Sequence, residues 1–323
     1  MVDMRVRIGG IELQNPVMPA SGCFAETMSD VFDLNQLGAI VAKTITPDLR
    51  EGVPPPRVAE FRDATLFAIG IPSKGPNYFR EHTAPFYARY TAPLIASISA
   101  DTVEEFGWLA RQVSVPGVAA IEANISCPNL KKDGLAFGMD ADATEHVVRA
   151  MKAATHLPVW AKLTPNVTDI TVLARAAENG GADALVVANA MLAMAIDTDT
   201  FLPCVANVTG GITGPATKPI ILRMAHKCAN AVKIPIIGCG GIGTARDAVE
   251  YMLAGASAVQ VGTASFLAPE TMLHVVRDLE EFCTARGISR VSDLVGAMRR
   301  YPPPLIPPGP RRAVTRLPLG AAE

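Results

Sequence analysis

The chain has 323 residues, 49% of them hydrophobic and 19% charged, so it is too apolar for disorder and long enough to bury one large core. With 29 Lys and Arg against 31 Asp and Glu, the net charge is -2, and no charge excess exists to drive nucleic-acid binding through counterion release. The six cysteines stand singly, without a C-x-x-C pair, which excludes an iron–sulfur or zinc site of ordinary spacing and leaves free thiols in the cytoplasm as the expectation. No metal and no membrane are expected: the longest apolar run, 184–196, is broken by Asn189 and is too short to span a bilayer. The opening segment MVDMRVRIGG lacks the apolar core of a secretory signal.

Short apolar stretches alternate with longer amphipathic ones. Strands are predicted at 16–19, 39–43, 94–98, 120–124, 159–163, 184–188, 235–238 and 258–261. Helices are predicted between most of them, at 103–112, 142–154, 168–179, 217–231 and 244–254. Near-continuous apolar strands such as ALVVA and IPIIG suit a parallel sheet covered on its outer face. Thr168-Asp169 and Thr244 read as helix starts, and Gly255 as a helix stop. Eight strands with about seven crossovers predict an α/β fold, a (β/α)8 TIM barrel over 1–300, followed by a proline-rich tail at 301–323. Stretches 44–93, 125–141 and 189–216 exceed a normal connection. They follow strands two, four and six, so they emerge at the C-terminal rim, where barrels place their sites.

Three groups of residues carry chemistry. Cys239, Gly240 and Gly241 follow the seventh strand, and Gly262 and Thr263 the eighth. Glycines there let backbone N–H groups approach a phosphate, although the same residues also make ordinary barrel turns. Lys43 and Lys162 each end an apolar strand. A cation at the mouth stabilises a developing anion, such as the N1 side of a reduced flavin; the plainer reading is a lysine that snorkels to the rim. Asn124 and Asn129 flank Cys127 at the start of a long loop. Amides suit a neutral heterocycle, and the thiol reads as a proton abstractor, a covalent nucleophile or inert packing.

The segments NPVMPASGC (15–23), VAKTIT (41–46), NISCPNLKKDGLAFGMD (124–140), KLTPNVTDI (162–170), TGGITGPATKPI (209–220) and IPIIGCGGIGTARDAVEYMLAGASAVQVGTASF (234–266) closely resemble the class 1 dihydroorotate dehydrogenases. The likeness is strongest to the subclass whose catalytic subunit pairs with an iron–sulfur flavoprotein subunit. The resemblance implies an FMN-dependent oxidoreductase of pyrimidine biosynthesis acting on the CH–CH bond of a small cyclic substrate, a dihydropyrimidine. It implies that Ala20, Ser21, Gly22, Lys43, Thr44, Asn124, Lys162, Gly211, Thr213, Cys239, Gly240, Gly241, Gly262 and Thr263 hold FMN. Cys127 would be the base on a lid, with Lys43 as its catalytic companion. Lys43, Phe67, Ile69, Gly70, Ile71, Asn124, Asn129, Asn189 and Ala190 would face the substrate. An electron-transfer partner carrying FAD and an iron–sulfur cluster is implied, as is a homodimer.

Two positions depart from the family pattern. Phe67 stands where the family has Asn, and Ala190 where it has Thr or Ser. Losing a polar contact to a bound anion costs about 1.5–3 kcal/mol. The competing expectation is therefore a sibling oxidoreductase acting on a less acidic ring. Lys74 is a candidate to compensate. A tRNA-modifying flavin barrel, a flavin isomerase and a non-catalytic flavin-binding subunit are further alternatives, the first disfavoured by the charge balance.

Overall fold

The computed structural model describes residues 2–126 and 137–301. Cys127, Asn129 and the proline-rich tail beyond residue 301 lie outside the described residues.

Eight parallel strands form the predicted barrel. They are β1 (Val17–Pro19), β2 (Ile40–Val41), β3 (Leu94–Ile98), β4 (Val118–Asn124), β5 (Val159–Lys162), β6 (Ala184–Val187), β7 (Ile236–Cys239) and β8 (Ala256–Val261). Each pairs with its sequence neighbours, except that β8 returns to pair with β1. The remaining seam, between β1 and β2, is bridged where the Gly38 N–H donates to the Val17 carbonyl at 2.8 Å. The sheet is thus wound nearly shut, the form expected when right-handed crossovers repeat along the chain.

Successive side chains on a strand point to opposite faces. Residues packed outward against the helices, such as Leu94, Ala96 and Ile98 of β3, belong to one apolar cluster. Their alternates point inward: Ile95, Ala120, Trp160, Val186, Ile237 and Ala258 fill the lower barrel as a second cluster. Beneath them an N-terminal hairpin of Val6–Ile8 with Ile11–Leu13 plugs the floor, with Ile8 and Leu13 fully buried. Two residues further along β4, β5 and β8 the inward positions turn polar, and they line the upper barrel.

Five predicted helices are present: α1 (Val103–Val113), α2 (Ala141–Ala154), α3 (Ile170–Asn179), α4 (Lys218–Ala229) and α5 (Ala245–Leu253). Thr244 caps α5 as its sequence suggests, its hydroxyl and the Asp247 carboxylate each accepting the other's backbone N–H. For α3 the cap is Asp169, which accepts from the Thr171 N–H at 3.2 Å. A further helix, α6 (Thr271–Ala285), was not anticipated; it follows β8 and buries Met272, Val275, Leu279 and Cys283.

The long stretches after β2 and β6 carry structure of their own, which their lengths alone did not reveal. Strands Val58–Phe61 and Ala64–Phe67 come from the first, and Met191–Met194 and Thr209–Thr213 from the second. They join as a four-stranded antiparallel sheet, with Thr209–Thr213 paired to Ala64–Phe67 across the two loops. The first stretch then returns to β3 through a helical segment, 75–87, that is π-helical over Phe79–Thr83. Among the described residues no helix is long and apolar enough to cross a membrane.

Candidate active site

The strand ends bring the predicted polar residues to one place. Asn124 closes β4 and Lys162 closes β5, and the two are register partners across the sheet. Lys43 and Thr44 follow β2, Ala20, Ser21 and Gly22 follow β1, and Asn189 and Ala190 follow β6. Lys162 Nζ lies 3.4 Å from Ser21 Oγ and 3.3 Å from Gln260 Oε1. Lys43 Nζ points at the Gly22 carbonyl, 3.4 Å away.

Three fully buried residues that sequence reasoning missed join these groups into one chain: Ser97, Glu122 and Gln260. Gln260 Nε2 donates to Glu122 Oε2 at 2.7 Å, and Ser97 Oγ donates to Glu122 Oε1 at 3.1 Å. Ser97 meets Thr44 Oγ1 at 3.0 Å, and Asn124 Nδ2 donates to Thr44 Oγ1 at 3.3 Å. Beyond Asn124, Ser126 Oγ donates to its Oδ1 at 2.9 Å, and Asn189 Nδ2 donates to Ser126 Oγ at 2.7 Å. A signal for these residues did exist. Glu122 interrupts VAAIEAN, Ser97 interrupts LIASI and Gln260 interrupts ASAVQV, each a polar residue inside an apolar strand. Glu122 also stands two residues from Asn124, hence on the same face.

Burial pulls the Lys162 ammonium down, but Cys239, Glu122 and Cys23 facing it outweigh that, and it stays above the ordinary lysine value. Burial pushes the Cys23 thiol up to about 11 and raises Cys239 as well. Both thiols are therefore protonated at neutral pH, while both Glu122 oxygens accept hydrogen bonds. Lys43 is shifted the other way: burial lowers it, and the nearby Cys23 only partly offsets this.

The glycine pair after β7 forms a cradle. Gly241 has φ +66, and a Cβ there would sit 2.5 Å from the Gly214 carbonyl and 2.7 Å from Lys218 Cβ, so only glycine fits. Gly240, Gly262 and Thr263 complete the two strand ends. Among the described residues, no other backbone carbonyl accepts from the N–H groups of Gly241, Gly262 or Thr263. Ser265, one turn on, has a buried hydroxyl without a partner. Unpaired donors on glycine-rich strand ends, with two lysines across the mouth, fit a phosphate-bearing flavin such as FMN.

The two departures from the family pattern flank one glycine. Gly211 is paired with Phe67 in the rim sheet. A Cβ on Gly211 would lie 2.7 Å from Ala190 Cβ and 3.4 Å from the Phe67 ring. Phe67, Gly211 and Ala190 thus form one apolar wall, and Thr213 ends the same strand. Ile69, Gly70 and Ile71 make a turn held by the Val53 N–H bonding the Ile69 carbonyl at 3.1 Å, with Ile71 at φ +48, an outlier for a β-branched residue. Among the described residues no hydrogen bond joins this turn to the buried chain. Lys74 is exposed, its ammonium 4.1 Å from the Tyr78 ring centre. It shares with Lys43, Arg50 and Glu26 a cavity of about 380 Å³ at the mouth.

A model of the family described as dihydroorotate dehydrogenase matches residues 3–283. The chain belongs to the dihydroorotate dehydrogenase family. It is 43% identical over 300 residues to the "Dihydroorotate dehydrogenase B (NAD(+)), catalytic subunit" of Thermoanaerobacter pseudethanolicus, covering 92% of this chain and 99% of that one. Proteins of the same name from a Geobacter species and from Desulforudis audaxviator are 45% and 46% identical, over 92% and 93% of this chain and 98% of each of theirs.

Proposed function

We propose that this chain is the FMN-dependent catalytic subunit of a dihydroorotate dehydrogenase, oxidising dihydroorotate to orotate in the cytoplasm and passing the electrons to a second, electron-transfer subunit. The observation that carries this reading is the continuous polar chain from Asn189 and Asn124 to Lys162, at the same end of the barrel as the Gly240–Gly241 and Gly262–Thr263 strand ends. Relatives 43–46% identical across nine-tenths of the chain bear the same name, and they favour dihydroorotate over a less acidic ring.

Bound FMN would supply a two-electron acceptor. Gly240, Gly241, Gly262 and Thr263 would hold its phosphate through backbone N–H groups, and Ala20, Ser21, Gly22, Thr44, Gly211 and Thr213 would border its ring. Lys162 would neutralise charge that gathers on the N1 side during reduction. Asn124, Asn129 and Asn189 would orient the substrate ring, each amide offering both a donor and an acceptor. Lys43 would supply positive charge beside the substrate carboxylate. Cys127 would take the proton from the carbon next to the carbonyl, and its loop would exclude water so that a thiol can serve as base. Phe67 and Ala190 would form an apolar edge of the pocket.

Purified protein should be yellow and release FMN on denaturation. Anaerobic dihydroorotate should bleach the flavin, and Cys127→Ser should slow that bleaching by about 10²-fold or more, the scale of general-base catalysis. A colourless protein, or flavin that dihydroorotate leaves oxidised, would overturn the reading.

A further inference from the structure

We infer that Glu122 is a positioning residue for the active site: by accepting at both carboxylate oxygens it fixes which way the hydrogen bonds run from the Lys162 cation to the Asn124 amide. This rests on the function proposed above.

The argument is one of donors and acceptors. A carboxylate that accepts at both oxygens leaves its neighbours no choice. Gln260 must turn its amino group to Glu122, as its 2.7 Å bond shows, and its carbonyl then faces Lys162 Nζ at 3.3 Å. Lys162 can only donate, so that contact is matched. On the other side, Ser97 spends its single proton on Glu122. The Thr44 hydroxyl must therefore donate to Ser97, and it accepts from Asn124 Nδ2. This turns Asn124 Oδ1 toward Ser126 and Asn189, which both donate to it or to each other. Asn189 Oδ1 is left to accept from the Ala190 N–H at 2.8 Å. Remove the carboxylate and Ser97 loses its acceptor, so the Ser97 and Thr44 protons can reverse and the Asn124 amide can flip, while Asn189 stays pinned by the Ala190 N–H. Glu122 does this without facing the mouth itself; it is fully buried, as are Ser97 and Gln260. Gln260 also links it to Lys162, donating to Glu122 and accepting from the lysine. One side chain thereby links the cation on the flavin side to the Asn124 amide on the substrate side.

Three variants of the FMN-loaded chain separate these two arms. Glu122→Gln replaces the carboxylate that Gln260 links to Lys162 with a neutral amide, so the reduced flavin, which gains negative charge, is favoured. The midpoint potential should rise by about 30 mV, the two-electron equivalent of a tenfold change. Orotate affinity, read from the flavin absorbance shift, should weaken about tenfold as well. Ser97→Ala cuts only the Thr44 branch, so orotate affinity should fall about tenfold while the potential stays at the wild-type value. Ser97→Thr restores the hydroxyl and should restore affinity. Glu122→Gln with an unchanged potential, or Ser97→Ala with unchanged orotate affinity, would overturn the inference. Should Glu122→Gln fail to fold, the Ser97 pair decides alone. A wild-type protein that holds FMN yet ignores orotate would refute the proposed substrate instead, and the potential of Glu122→Gln would still test the role of Glu122.

Discussion

Inside the barrel, Ser97, Glu122, Asn124, Lys162 and Gln260 come from four different strands, and each is held by neighbours between 2.7 and 3.4 Å away. On the rim, Phe67, Gly211 and Ala190 meet because two long loops, far apart in sequence, pair as antiparallel strands. The inner residues are fixed by strand register and by a buried carboxylate that tolerates no missing donor. Among the described residues, the rim wall rests on a small apolar cluster of Leu66, Ala68 and Val205, with half-buried neighbours around them. A barrel of this kind can therefore keep its flavin-side geometry constant while its loops alter the wall around the substrate. Phe67 and Ala190 are such an alteration, and they are in contact with the same glycine. Substitutions in the barrel should cost stability, and substitutions on the rim should change ligand affinity first.

The largest effect should come from the barrel floor. Trp160 is fully buried among Ile8, Leu13 and the inward residues of the lower strands. Trp160→Ala should cost about 3–5 kcal/mol, read as a lower urea midpoint at an unchanged slope. A loss under about 1 kcal/mol would mean the floor is loosely packed. On the rim, Gly211→Ala drives a methyl to 2.7 Å from Ala190 Cβ. Overpacking of this kind costs about 1–3 kcal/mol. Here the strain should weaken orotate binding more than FMN binding, so a variant that loses FMN but keeps orotate affinity would contradict the contrast. Thr244→Ala, which removes the cap of α5 at the outer wall, should cost about 1 kcal/mol and leave ligand affinity unmoved.

The same contrast explains what could be read from the chain. Parallel strands announce themselves as apolar runs, and a lysine or asparagine at the end of such a run is conspicuous; Lys43, Lys162 and Asn124 were found that way. Glu122, Ser97 and Gln260 sit inside their runs, where the surrounding apolar residues hide them. They become visible only through the alternation of side chains, with polar groups on the same parity as Asn124 and Lys162. The rim sheet was illegible for a different reason. Its strands are short, its pairing joins residue 67 to residue 211, and neither partner reads as a strand without the other. Helix α6 was missed because it follows the last strand, where the alternation of strand and helix offers no next strand to bound it.

The smallest predicted effect concerns Lys43, and its sign is opposite for stability and for binding. Burial lowers the Lys43 ammonium below the ordinary lysine value of 10.5, so the folded chain holds this proton less tightly than the unfolded chain does. Between the folded and unfolded values the unfolded state binds more protons, and stability contributed by this group rises with pH through that window. Below the window both states are protonated and the buried charge remains a net cost. Lys43→Met should therefore make the ligand-free protein slightly more stable at neutral pH, measured by thermal unfolding, while weakening orotate binding. In the wild type, orotate affinity should begin to fall with rising pH before 10.5 is reached, as Lys43 loses its proton earlier than a surface lysine. An affinity independent of pH up to that point, or a Lys43→Met protein less stable than wild type, would show that the ammonium is held by a partner rather than left for the substrate anion.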